Sequence, residues 1–126
     1  MLAERRSHTT LPTSDVTRLR TFYEQTLGFS PFAERPNAVI YRTQGGSLFA
    51  ISRATVEARA GFTQMAFTVP DIDAEVAELR SRGVVFEEYE SPRTVDGIAT
   101  IGPGRAAWFQ DPDGNVLAVL EWTDPV

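Results

Sequence analysis

The chain of 126 residues contains no cysteine, and all 12 of its basic residues are arginine. Without cysteine it has no thiol nucleophile, no thiolate metal ligand and no redox-active pair, and its core forms without disulfides. Without lysine it cannot form a Schiff base with a substrate or with pyridoxal phosphate, nor supply the lysine of a phosphate-binding loop. These absences exclude several classes of covalent and nucleotide-dependent enzymes.

Positive charge and long apolar runs are also scarce. The formal net charge of −5 argues against a nucleic-acid surface, which needs clustered basic residues, and weakly favours a neutral or cationic partner. No apolar run approaches the roughly 20 residues that a membrane span requires, and Met1–Thr10 lacks the apolar core of a secretory signal. We expect a cytoplasmic protein with one domain and a core of its own.

What the chain does contain is a repeated unit. A strand, a capping aspartate, an amphipathic helix and a glycine occur in this order twice, first around Asp15 and Gly28 and again around Asp71 and Gly83. Several strands follow each helix, and one such unit cannot bury its apolar sheet face alone. The two units are therefore expected to pack together and to leave a cleft between them, where a ligand would bind.

A pass along the chain predicts eight strands and two helices, with the first helix starting after Asp15 and the second covering Asp71–Arg82. Module one is expected over residues 7–53, a linker over 54–61 and module two over 62–122. A long loop is expected over Ser91–Gly104. The predicted strands are Ser7–Thr13, Phe29–Glu34, Ala38–Thr43, Leu48–Arg53, Phe62–Val69, Val84–Tyr89, Arg105–Gln110 and Val116–Trp122.

Alternation along the strands separates a face packed on a helix from a face that lines the cleft. Large apolar residues such as Phe49, Ile51 and Phe67 are expected on the packed face. The opposite face should carry small or polar residues that leave room for a ligand. The expected cleft residues on the fourth and fifth strands are Leu48, Ala50, Ser52, Gln64, Ala66 and Thr68.

Two segments resemble a known family. The block from Asp15 to Gly28, with its Phe22-Tyr23 pair, and the run Trp-Phe-Gln-Asp-Pro-Asp-Gly-Asn over residues 108–115 are similar to the vicinal oxygen chelate superfamily. That group includes glyoxalase I, extradiol dioxygenases, fosfomycin-resistance enzymes and bleomycin-resistance binding proteins. The resemblance covers nearly the whole chain. It implies an α+β fold of two βαβββ modules that form cupped mixed sheets around a ligand cleft, usually in a homodimer.

The enzymes of this family bind a divalent metal through inward side chains on the first and last strand of each module. By resemblance, the four positions here are His8, Ala50, Gln64 and Ala118. Only His8 is a strong ligand, Gln64 offers one weak oxygen, and the alanines offer none, whereas stable sites use three or more protein ligands. We therefore expect no metal, with a divalent ion held through His8 as the alternative. Glu121 has the opposite strand parity to Ala118 and should point away from the cleft.

Other residues are candidates for ligand contact. Trp108 shares cleft parity with Ala106 and Gln110, and an inward indole can stack on a planar ligand, although an ordinary core position is equally compatible with its sequence context. Trp122, near the chain end, is expected outside the site. Arg93 and Arg105 flank the long loop, and Glu87, Glu88 and Glu90 would attract a cation at the mouth of the cleft, or form a solvated face. The full set of candidate ligand-binding residues is His8, Thr10, Ala50, Ser52, Gln64, Thr68, Ala106, Trp108, Gln110 and Ala118.

Together these features favour a metal-independent small-molecule binding protein of the bleomycin-resistance type, which sequesters an aromatic or cationic natural product as in antibiotic resistance. The alternative is an enzyme, a glyoxalase-like lyase, isomerase or dioxygenase, that uses His8 as a metal ligand or as a catalytic base. Histidine is the side chain whose ordinary pKa suits base chemistry near neutral pH. A third alternative is a protein that senses a metabolite.

Overall fold

A computed structural model describes residues 1–5, 7–54 and 63–122. The chain divides into two compact units, Met1–Ala58 and Arg59–Val126. The predicted linker, apart from Ala54, and the predicted strand start at Phe62 lie outside the described residues. No helix in the described part of the chain is long and apolar enough to cross a membrane.

The first unit contains a four-stranded mixed sheet. Its elements are a 3-10 helix (Leu2–Glu4), β1 (His8–Thr13), α1 (Val16–Thr21), a π-helical turn (Phe22–Thr26), β2 (Pro31–Arg35), β3 (Ala38–Arg42) and β4 (Leu48–Arg53). This is the expected βαβββ order. The strands lie in the sheet in the order β1-β4-β3-β2, with β1 and β4 parallel and the other neighbours antiparallel.

Helix α1 begins where the sequence predicts, because the Asp15 carboxylate accepts a hydrogen bond from the backbone N–H of Arg18. It ends differently from the prediction. The α-helix ends at Thr21, and the chain continues as a π-helical turn. In this turn the N–H of Leu27 donates to the carbonyl of Phe22 at 3.1 Å. Gly28 then ends the segment with a φ of +85°, a value that glycine adopts without strain.

The core of the first unit is aromatic. Phe49 and Ile51 are buried on one face of β4, as their alternation predicts. Tyr23 from the π-helical turn packs on Phe49 and Tyr41 with ring centroids 5.6 and 6.1 Å apart. These rings anchor the turn against the sheet and leave the opposite sheet face to His8, Thr10, Ala50 and Ser52.

The second unit contains a five-stranded sheet. Its elements are β5 (Thr63–Thr68), α2 (Ile72–Ser81), β6 (Thr94–Val95), β7 (Ile98–Ile101), β8 (Gly104–Gln110) and β9 (Val116–Trp122). The strands lie in the sheet in the order β5-β9-β8-β7-β6, with β5 and β9 parallel and the remaining pairs antiparallel. With the first sheet this gives the expected α+β fold.

Helix α2 receives two carboxylates at its first turn. Asp71 accepts from the N–H of Ala74, and Glu121 on β9 accepts from the N–H of Ile72 at 2.8 Å. Arg105 on β8 bridges Glu121 to Asp73 of the helix. These hydrogen bonds raise the pKa of Arg105. Glu121 thus caps the first turn of helix α2, consistent with the strand parity that places it on the face opposite to Ala118.

Two predictions in the second unit are wrong. Val84–Tyr89 is not a strand, because only Phe86 forms a bridge, to Phe109 of β8. The start of β8 is paired instead with β7, the second strand of the hairpin β6–β7. The predicted loop Ser91–Gly104 contains that hairpin. Its turn is formed by Asp96 and Gly97, both with positive φ, a dipeptide that favours tight hairpins between residues of high β propensity.

Candidate functional site

A cavity of about 180 Å³ lies on one face of the five-stranded sheet. Its wall is mainly apolar and contains two indole side chains. The cavity is partly open, because Thr63 and Ala66 in its wall are exposed residues. The lining residues are Thr63, Ala66, Ile101, Gly104, Arg105, Ala106, Trp108, Ala118, Leu120 and Trp122.

The space comes from small side chains at paired positions. Ala118 on β9 lies opposite Trp108 on β8, and Ala106 lies opposite Leu120. Both alanines are almost fully buried, at 1% and 2% exposure. Because each is short, the neighbouring indole and the leucine border a depression in the sheet face rather than a filled layer.

Trp122 was predicted to lie outside the site, and this is wrong. It is paired with Gly104, which has no side chain, and both residues line the cavity. The sequence carried a signal for this placement, because Trp122 has the same strand parity as Ala118 and Leu120. The alternation of β9 was uninformative by itself, since both of its faces are apolar.

Strict alternation also fails on β5, at Gln64. Thr63 pairs with Val116 and Met65 with Leu117, so Gln64 is an extra residue that forms a β-bulge. Its amide nitrogen donates to the Asn115 side chain, and its amide oxygen accepts from the N–H of Val116. Gln64 therefore does not take the cleft position expected for it. The bulge instead brings Thr63 to the cavity side, and Ala66 lines the cavity as its alternation predicts.

Trp108 contacts a polar and an aromatic neighbour at the cavity. Its indole N–H donates to the hydroxyl oxygen of Thr63 at 3.0 Å. Its ring meets the edge of Tyr89, with centroids 5.6 Å apart. Burial raises the pKa of Tyr89, and the negative charge of Glu87 adds to that effect. Thr63, which the sequence analysis missed, thus holds the indole in a fixed orientation.

The remaining predicted site residues are placed as follows. Thr68 is exposed on the cavity face of β5 but does not line the cavity. Gln110, also of Trp108 parity, donates through its amide to Glu87 at 2.8 Å. Arg105 borders the cavity, while its guanidinium is held by Asp73 and Glu121. Ala106, Trp108 and Ala118 are the predicted residues that the structure brings together.

The four positions that the family resemblance matches to metal ligands carry one histidine, one amide and two alanines. His8 and Ala50 belong to the sheet of the first unit, where His8 is paired with Leu48 and Ala50 with Thr10. In the second unit, both ends of the Gln64 amide are used in hydrogen bonds, and Ala118 has no ligating atom. Among the described residues, no three histidine, aspartate or glutamate side chains lie together in a way that would hold a metal ion. The donor set therefore does not fit a divalent cation.

Comparison with known proteins agrees with this fold. The virulence protein STM3117 of Salmonella typhimurium strain LT2 is 28% identical over 130 residues, which covers 97% of this chain and 87% of that protein. The structure of TnmS3, an antibiotic binding protein from Streptomyces sp. CB03234, superposes with a TM-score of 0.72 at 24% identity, covering 98% of this chain and 99% of that one. The fosfomycin resistance protein FosX from Listeria monocytogenes gives 0.71 at 17% identity, covering 95% and 94%.

The sequence profile of one family matches residues 5–119, which is nearly the whole chain. The two sheets, with their helices capped by Asp15 and Asp71, have the architecture of that family. The chain belongs to the Glyoxalase/Bleomycin resistance protein/Dioxygenase superfamily.

Proposed function

We propose that this chain is a small-molecule binding protein that holds a flat aromatic compound in the cavity of its second unit, without a metal ion. The observation that carries the proposal is the cavity itself, whose wall contains the indoles of Trp108 and Trp122 beside the small residues Ala106 and Ala118. Flat apolar molecules gain most from such walls, because stacking on an indole adds to the burial of apolar area.

The chemistry of the wall supports binding rather than catalysis. Among the lining residues that the structure describes, only Arg105 has an ionisable side chain, and its Nη2 group donates to Asp73 and Glu121. The wall therefore offers no base or acid for proton transfer near neutral pH. The enzymatic alternative depends on His8, which belongs to the first unit and has alanine, not a second ligand, at the matching position of β4.

The relatives support a role in antibiotic binding or resistance. TnmS3 is an antibiotic binding protein, and FosX is a fosfomycin resistance protein. We propose the binding role for this chain because the donor set found here suits binding without metal. We further propose that it acts as a homodimer, which its family resemblance favours. We propose a cytoplasmic location, because a chain without cysteine suits a reducing compartment.

A titration with naphthalene, a flat apolar probe, tests the proposal. Protein dialysed against chelator should bind naphthalene with an affinity that added zinc, manganese or nickel does not change. The two indole N–H signals in nitrogen-edited NMR spectra should shift during the titration. Elemental analysis of protein purified without chelator should find far less than one divalent metal per chain. Stoichiometric metal that is lost in His8→Ala, or binding that requires metal, would overturn the proposal.

A further inference from the structure

The hydroxyl of Thr63 is a polar group in a mainly apolar wall. It accepts the indole N–H of Trp108, which occupies one lone pair of the oxygen. Among the described residues, no acceptor receives the hydroxyl hydrogen of Thr63. Thr63 can therefore still donate one hydrogen bond at the cavity. Because its oxygen already accepts a bond, polarisation along the chain of bonds makes it a stronger donor.

A hydrogen-bond network holds the bulge that precedes Met65, beside the exposed residue Thr63. Asp111, with 4% exposure, accepts from both the backbone and the side-chain N–H groups of Asn115. Asn115 in turn accepts from the amide of Gln64. These bonds tie the β8–β9 turn to the bulge in β5, and the bulge brings Thr63 to the cavity side. The network thus determines the side of the sheet on which Thr63 lies, and its bond to Trp108 orients the hydroxyl.

We propose that Thr63 is the residue that determines ligand specificity in this cavity, and that it selects flat, uncharged aromatic molecules with a hydrogen-bond acceptor at the ring edge. The inference rests on the proposed function and adds the ligand class. Two other described lining residues carry donor groups: Arg105, whose Nη2 bonds Asp73 and Glu121, and Trp122 with its indole N–H. The Thr63 hydroxyl, already oriented by its bond to Trp108, is the donor that a ligand acceptor meets on the β5 side of the cavity. A ligand without an acceptor gains nothing from it.

The test compares naphthalene with quinoline at a pH where quinoline is uncharged. The two molecules have nearly the same shape, but quinoline carries one acceptor nitrogen at the ring edge. Replacing Thr63 with the isosteric valine should weaken quinoline binding by about five- to tenfold, the loss expected for one hydrogen bond. Naphthalene, which has no acceptor, should lose clearly less, because for it only the orientation of the Trp108 indole changes. Thr63→Ser keeps the hydroxyl and should keep the preference for quinoline.

Two controls accompany these variants. Thr68→Val removes a hydroxyl from the same face of β5, outside the cavity, and should leave both affinities unchanged. The indole N–H signal of Trp108, assigned by its loss in Trp108→Phe, should move in Thr63→Val, while that of Trp122 stays. If both probes bind but Thr63→Val affects them equally or not at all, Thr63 is not the specificity residue, although the cavity still binds ligand. If neither probe binds the unmodified protein, the proposed function fails, and this inference with it.

Discussion

Gly104 and Trp122 are paired residues of β8 and β9, and the indole of Trp122 occupies the space that a side chain at position 104 would need. A Cβ atom on residue 104 would lie 2.7 Å from Cζ3 of Trp122 and 3.0 Å from the backbone carbonyl oxygen of Glu121. Glycine at this position is therefore a packing requirement. It leaves room for the indole of Trp122, one of the two indoles in the cavity wall.

We expect Gly104→Ala to displace the Trp122 ring and to lower the free energy of unfolding by about 1–3 kcal/mol, the usual cost of an overpacked site. Naphthalene affinity should fall as well, because the displaced ring belongs to the cavity wall. Urea unfolding and the NMR titration measure the two effects. Gly45→Ala is the matched control, since nothing lies within 4 Å of a Cβ atom there, and it should change stability by less than about 0.5 kcal/mol. Equal stability of the two variants would contradict the packing argument.

The two cavity tryptophans should both report on binding. Trp108→Ala is expected to weaken naphthalene binding by about tenfold, because stacking on an aromatic ring contributes on the order of 0.5–1.5 kcal/mol beyond area burial. Trp122→Ala should also weaken it, since both side chains line the cavity. Phe32, a half-exposed residue of the first unit, provides the comparison through Phe32→Ala, which should have no effect. Full affinity in a folded Trp108→Ala protein would place the ligand elsewhere.

The helix starts and most strands were predictable because their signals are local. Asp15 and Asp71 cap their helices as expected, and Gly28 and Gly83 end them with positive φ. The hairpin turn at Asp96 and Gly97 also has a local signal, which the prediction of a long loop overlooked. The prediction of a strand at Val84–Tyr89 failed for a non-local reason. Its alternating pattern holds, with Phe86 buried and Val85 exposed, but pairing depends on which segment occupies the edge of β8.

The site was predictable only in part, for a related reason. Parity placed Ala106, Trp108 and Ala118 on the face that carries the cavity, because alternation is regular along the middle of β8 and β9. It failed at Gln64, where the bulge shifts the register by one residue. That shift depends on hydrogen bonds between Gln64 and Asn115, which are distant in sequence. No local pattern on β5 encodes it, so Thr63 could not be recognised as a cavity residue.

The assembly state is a separate prediction. Strands β1 and β5 each stand at the edge of their sheet, as do β2 and β6. Open edges present unpaired N–H and C=O groups, which proteins commonly cover by association. We expect light scattering at micromolar concentration to give twice the mass of the chain. A monomer that persists as the concentration is raised would show that the edges are protected within one chain.

A partly buried hydrogen-bond network in the first unit predicts a specific dependence of stability on pH. Tyr41 is fully buried, and its hydroxyl donates to the Glu24 carboxylate at 2.9 Å. Arg20 donates to the same carboxylate at 2.7 Å and to Glu34 at 2.6 Å. Burial alone would raise the pKa of Glu24, but the hydrogen bonds from Arg20 and Tyr41 outweigh burial, so the pKa of Glu24 lies below its ordinary value.

Because the pKa of Glu24 is lower in the folded than in the unfolded chain, the ionised carboxylate stabilises the fold at neutral pH. This contribution is complete above the ordinary carboxyl pKa of the unfolded chain, and it is lost as the pH falls through the lower folded value. Glu24→Gln should therefore lower the free energy of unfolding by about 1–2 kcal/mol at pH 7. The difference from the unmodified protein should shrink as urea unfolding is repeated at pH values down to 3.

Glu34→Gln, which removes a mostly exposed partner of the same arginine, should cost less than about 0.5 kcal/mol at every pH. A constant difference for Glu24→Gln across this range would show that the lost stability comes from packing rather than from the charge.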